Sequence, residues 1–167
     1  MKVLLTLSAS ALLLAACASY DGRGLVPGKS TEAEVTSLMG TPADSRKRPN
    51  GDHVLYFSRL PLGRDIYAAT IAPDGTLRSL DQTLTRANIS RIAVNSTTAD
   101  QLRELLGPPY RSVRLAFKPY DVWEYPWRLA EEKRILWVSV GDDGIVRDVL
   151  EIHDFESDPA SSNSKDT

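Results

Sequence analysis

Three kinds of side chain in this chain could carry chemistry: one cysteine, two histidines, and a pair of aspartates followed by glycine. Cys17 is the only thiol, so it cannot close an internal disulfide. It lies at the foot of an apolar run, "LLLAACASYDG", where the sequence turns polar. General acid–base work needs a histidine with a positioned partner. His53 and His153 each sit at the edge of a strand-like stretch, and no local pattern around either announces a nucleophile–histidine–acid arrangement. Asp142-Asp143-Gly144 lacks the repeated oxygen ligands and the closing glutamate of a calcium loop, so it reads as a turn. No phosphate-cradling glycine loop or metal-ligand spacing occurs. Catalysis, cofactors and metals are not expected, and the chemistry that remains is that of Cys17.

Lys2 supplies the positive charge of an export signal, and Val3 to Leu14 supply an apolar stretch. That stretch is too short for the ~20 residues of a membrane-spanning helix, so residues 1–16 read as a signal peptide. Its end, Leu14-Ala15-Ala16-Cys17, resembles the bacterial lipobox, after which the signal is cut and the cysteine becomes the lipidated first residue. The resemblance implies a diacylglyceryl thioether plus an N-acyl chain. Each buried methylene contributes ~0.8 kcal/mol, so one chain holds marginally and two or more hold stably. Ala18 is not the aspartate that retains such proteins in the inner membrane. The expected location is the periplasmic face of the outer membrane.

Loss of residues 1–16 removes Lys2 alone among the charges, leaving 19 basic against 22 acidic residues. A surface with that balance argues against a nucleic-acid binder. Residues 17–26 read as a lipidated tether. Residues 154–167, ending in "ESDPASSNSKDT", are poor in large apolar residues and read as a disordered tail.

Between them lies an internal repeat. "TEAEVTSLMGTP" at 31–42 matches "TADQLRELLGPP" at 98–109. Further on, "HVLYFSRLP" matches "DVWEYPWRL" and "IAPDGTLRSL" matches "VGDDGIVRDV". Thr31 with Glu34, and Thr98 with Gln101, have the spacing of a capping box. Val35, Leu38 and Met39, like Leu102, Leu105 and Leu106, recur at helical spacing; Gly40 and Gly107 suit left-handed caps, with Pro42 and Pro109 ending each helix. Strand-like runs follow at 53–60, 65–72 and 76–82, and at 121–129, 134–141 and 145–153. Asp74-Gly75 and Asp143-Gly144 fit tight hairpins. The expected fold class is α+β: two tandem repeats, each a helix plus an antiparallel three-stranded meander, at 27–85 and 86–153, packed together because a unit this small is marginal alone. "TRANISRIAVNS" reads as a brief helix opening the second repeat.

The capping threonine, the "LMGTP" and "LLGPP" helix ends, the aromatic strand and the "DG" hairpin together resemble the BamE/SmpA-like outer-membrane lipoproteins, in tandem copy. That resemblance implies helices against a three-stranded sheet, and an envelope protein partner in the machinery that inserts β-barrels into the outer membrane. The two-unit arrangement is also similar to the β-lactamase inhibitor protein, which binds enzymes on a concave sheet. No functional residue carries over, because the matching positions are structural.

Two groups of residues could bind. Trp123, Tyr125 and Trp127 share one face at period two and read first as core, with Trp127 a candidate contact residue. Trp137 alternates with Leu136, Val138 and Val140, which places it on the opposite, helix-free face together with Tyr56 of the first repeat. Exposed aromatics of this kind anchor interfaces. Arg46, Lys47, Arg48, Arg111 and Arg114 read as loop charges able to meet anionic lipid headgroups, at ~1 kcal/mol each. The expected function is a non-enzymatic, lipid-anchored interaction scaffold in outer-membrane assembly or envelope maintenance. The alternative is a periplasmic inhibitor or ligand-binding module.

Overall fold

The computed structural model describes residues 21–155; residues 1–20, with the expected signal peptide and Cys17, and residues 156–167 lie outside them. The first unit opens with α1 (Glu32–Met39), capped by Thr31, whose hydroxyl accepts from the Glu34 amide while the Glu34 carboxylate accepts from the Thr31 amide. Such a cap is worth about 1 kcal/mol. Val35 and Met39 point inward from this helix. Gly40 ends it at φ 87°, ψ −158°. The sequence suggests a left-handed cap there; the observed conformation has the same positive φ but an extended ψ, a region that essentially only glycine occupies. The chain then forms β1 (Asp44–Lys47), β2 (His53–Ser58), β3 (Ile66–Ile71) and β4 (Leu77–Gln82), paired in order as an antiparallel meander.

After the short α2 (Arg86–Ile89), the second unit repeats the course. Thr98 and Gln101 form the second capping box at α3 (Ala99–Leu106), and Gly107 ends that helix at φ 87°. β5 (Arg111–Arg114), β6 (Tyr120–Leu129), β7 (Glu132–Gly141) and β8 (Val146–His153) form a second four-stranded sheet. Gly75 and Gly144 take positive φ in the β3–β4 and β7–β8 turns, and in each turn the glycine amide bonds the carbonyl three residues back.

The expected pair of helix-plus-three-strand repeats is corrected by this architecture. Among the described residues strand is the predominant regular structure, in two separate four-stranded antiparallel sheets, with three short helices. The strands that periodicity did not reveal are β1 and β5. Their sequences, "DSRK" and "RSVR", contain almost no apolar residue and lie at sheet edges, where charged side chains are the normal protection against further pairing.

The layers stack as α1, first sheet, α3, second sheet. Val35 and Met39 of α1 bury against Leu55, Phe57, Ala69, Ile71 and Leu77 on one face of the first sheet. Leu102 and Leu106 of α3 share a larger core with Trp123, Tyr125, Leu136 and Val138 of the second sheet and with Val54, Tyr56, Ile66 and Ala68 from the other face of the first. The approach is close: a Cβ on Gly107 would stand 2.8 Å from Ile66 Cγ2 and 3.0 Å from Tyr56 Cδ1. Each sheet therefore receives its own helix on one face, and the first sheet also receives the next unit on the other.

The ordered chain extends past the bounds read from the sequence. Gly22 is buried beside Leu80, and Leu25 packs on the first core, so residues 21–26 lie along the domain. At the other end Asp154 is buried and ion-paired with Arg64.

Candidate functional site

Cross-strand register places four residues in a row on the outer face of the second sheet: Arg111 opposite Glu124, Glu124 opposite Trp137, and Trp137 opposite Leu150. Glu124 is 6% exposed. A carboxylate so enclosed is costly unless every oxygen is met by a donor. Here Arg111 donates from Nε to Oε1 at 3.1 Å and from a terminal nitrogen to Oε2 at 2.9 Å, the bidentate geometry that suits guanidinium and carboxylate. The Trp137 indole N–H also donates to Oε2, at 2.9 Å. Trp137 is thus held by its polar atom in a fixed pose, with the ring half-buried on a face that carries no helix. Below this row Pro126, Ile135, Tyr110 and Leu62 line a shallow cleft of about 450 Å³, together with Lys133 and the Arg111–Glu124 pair.

The matching row on the first sheet is Asp44, Tyr56, Ala68 and Asp81. It also faces away from its own unit's helix, but α2 and α3 lie over it. Tyr56 is fully buried and donates its hydroxyl to the Glu104 carbonyl at 3.1 Å. Burial, with Glu104 as the next cause, pushes its pKa up to about 12. Where Ala68, Thr70 and Ser79 are too small to fill the space, a polar groove of about 860 Å³ remains between the first sheet and α2–α3.

The candidate contact residues accordingly separate. Trp137 lies on an open face. Tyr56 does not: it faces away from α1, as its alternation in the strand suggests, but that face is an internal interface. Trp127 is fully buried in the larger core, with the Arg86 guanidinium 4.8 Å from its ring centroid on the outer side. Both are corrected to structural roles.

The basic residues are not loop charges. Arg46 and Lys47 belong to β1, Arg111 and Arg114 to β5, and Arg48 follows β1 directly. Arg46 pairs with Asp44 and Asp100, Arg48 with Glu104, Arg111 with Glu124, and Arg114 with Asp121 and Asp142. Arg114 holds the Asp142 carboxyl below its usual range. Lys47 is exposed, with no ion pair to a described residue. Four of the five charges thus have carboxylate partners within the chain, with Arg111 and Arg114 still more than half exposed.

Of the histidines, His53 Nδ1 lies 3.5 Å from a Glu32 oxygen, and His153 stacks on Phe155 with centroids 4.7 Å apart. Among the described residues neither hydrogen-bonds a serine or threonine hydroxyl, and no cluster of His, Cys, Asp and Glu suited to a metal occurs.

Sequence reasoning missed Glu124 and the function of Arg111. One signal was present: a carboxylate alternating with Trp123 and Tyr125 has to project from the opposite face.

No family model and no curated protein matches this chain. A solved structure that does match is the crystal structure of YjgB, a DUF4309 family protein from Bacillus subtilis, at 20% identity over 79% of this chain and 84% of that one, with a TM-score of 0.32. The resemblance to BamE/SmpA-like lipoproteins is withdrawn. No family model supports it, and each unit has four strands where that resemblance implies three. The likeness to the β-lactamase inhibitor protein is withdrawn with it, since the two sheets are separate and the first has a helix-bearing layer on each face.

Proposed function

We propose that this protein is a non-enzymatic docking module of the bacterial envelope, held by acylated Cys17 at the periplasmic face of the outer membrane and binding a protein partner through the outer face of its second sheet. The observation that carries the reading is the Arg111–Glu124–Trp137 row, in which a buried carboxylate, paired with a half-exposed guanidinium, fixes an indole on a sheet face that no described element covers. Rigid aromatic groups lose little entropy on binding and often dominate interface energies. Confinement to the membrane surface would raise the local concentration of such a face near membrane partners. The anchor reading rests on Leu14-Ala15-Ala16-Cys17.

The test is recovery of partners by the acylated protein from its native envelope, comparing wild type with Trp137→Ala. Loss of a wild-type partner in the variant supports the docking face; an unchanged set of partners removes it.

A second reading, a ligand-binding module, is favoured by the polar groove under Thr70 and Ser79. Thr70→Trp would fill that groove. If this change removed the envelope contacts while Trp137→Ala left them intact, the groove would replace the sheet face as the binding site.

A further inference from the structure

The molecule has two poles, each with an apolar side chain projecting into solvent. At one, Phe117 is fully exposed (104%) in the β5–β6 loop. At the other, Leu62 is 91% exposed at the tip of the β2–β3 loop. β6 spans ten residues between these ends, about 33 Å at the rise of a strand.

The Leu62 loop is a fixed platform. The Arg59 amide bonds the Asp65 carbonyl at 2.9 Å, closing it, and the Gly63 amide bonds the Arg59 carbonyl at 2.7 Å. Arg64 is 5% exposed; it donates to the Arg134 carbonyl at 3.1 Å and pairs with buried Asp154, fastening the loop to the second unit. Phe155, next to Asp154, is 67% exposed at the same pole. Burial of a leucine side chain is favourable, so one that the fold holds in water is free to enter an apolar phase.

The N-terminal chain decides which pole faces the membrane. The Gly28 amide bonds the Leu77 carbonyl at 2.7 Å and Gly22 lies against the Leu80 side chain, so back toward residue 21 the chain runs along β4 to its Gln82 end, where Gln82 pairs with Tyr67 beside the Leu62 loop. Only four residue steps separate Cys17 from Asp21. Whatever their path, they span at most about 14 Å at ~3.5 Å per residue. An acylated Cys17 therefore holds the Leu62 pole against the bilayer and points the Phe117 pole away.

We infer that the Leu62 pole is a membrane-seating surface, with Leu62 entering the headgroup–acyl boundary and Phe155 beside it. This rests on the anchor reading above. It gives the protein a fixed orientation, in which the strands of the second sheet stand away from the membrane and the Trp137 row faces sideways along it.

The test uses the full acylated chain in vesicles of phosphatidylethanolamine and phosphatidylglycerol. Acylation blocks Cys17, so a cysteine placed by Leu62→Cys or Phe117→Cys can alone take an environment-sensitive fluorophore. The label at 62 should brighten on reconstitution and be quenched several-fold more than the label at 117 by a shallow nitroxide lipid. Equal quenching at both, or stronger quenching at 117, overturns the seating surface while leaving the anchor intact. The mass of the N-terminal peptide separates the two ideas, because a Cys17 without acyl chains removes both.

Discussion

The first and second sheets offer the same face to different surroundings, and the residues differ accordingly. The rows Asp44–Tyr56–Ala68–Asp81 and Arg111–Glu124–Trp137–Leu150 occupy matching places in the repeat. On the first sheet the central positions are a buried tyrosine and an alanine, which let α3 approach until Gly107 nearly touches Tyr56. On the second they are a pinned glutamate and an indole, and no element of the described chain covers them. Gly40, the counterpart of Gly107, has nothing within 4 Å of its would-be Cβ. The repeat thus stacks head to tail, and among the described residues no further unit covers the corresponding face of the second sheet.

The strongest way to break this arrangement is at the latch between the units. Arg64→Ala removes the guanidinium from buried Asp154 and should cost about 3–5 kcal/mol in urea unfolding, the usual penalty for stranding one member of a buried ion pair. A cost below 1 kcal/mol would mean that the latch is not structural.

The glycine pair sharpens the comparison. Both substitutions to alanine place a side chain in the glycine-only backbone region, at about 1–3 kcal/mol. Gly107→Ala adds overpacking against Ile66 and Tyr56, about 1–3 kcal/mol more. Chemical denaturation should therefore rank Gly107→Ala well below Gly40→Ala in stability, and equal values would deny the close approach.

A smaller effect concerns Tyr56. Tyr56→Phe loses one hydrogen bond, worth about 1 kcal/mol. Its pKa is raised in the folded state from 10.0 to about 12, so the fold retains a proton that the unfolded chain releases. That stabilisation is full below pH 10 and declines as pH rises toward 12. Unfolding measured across this range should show the decline in wild type and a shallower one in Tyr56→Phe.

The smallest effect on stability is expected at Trp137. Trp137→Ala should cost about 1 kcal/mol or less in thermal or urea unfolding, because Arg111 still satisfies Glu124. A loss of several kcal/mol would make Trp137 a structural residue and remove the case for it as a contact.

Local structure was legible where side chains act on their own backbone. The Thr-x-x-Glu and Thr-x-x-Gln caps, the helix-ending glycines and the Asp-Gly turns all lie where spacing put them. β1 and β5 were not legible, because an edge strand of charged residues has no apolar period. That omission also hid the Arg111–Glu124 pair, which exists only once β5 lies beside β6. The alternation around Trp137 was enough to choose its face. The same logic chose the face of Tyr56, yet could not foresee that the second unit's helix would cover it, since that contact joins residues 48 apart in sequence.

The two equivalent faces should differ in what they touch in the envelope. A photoreactive side chain can be placed at Leu150 or at Asp81, the exposed ends of the two rows, and irradiated in cells. Capture of an envelope protein from position 150, with position 81 reacting only within its own chain, is the predicted result. Capture from 81 with none from 150 would contradict it.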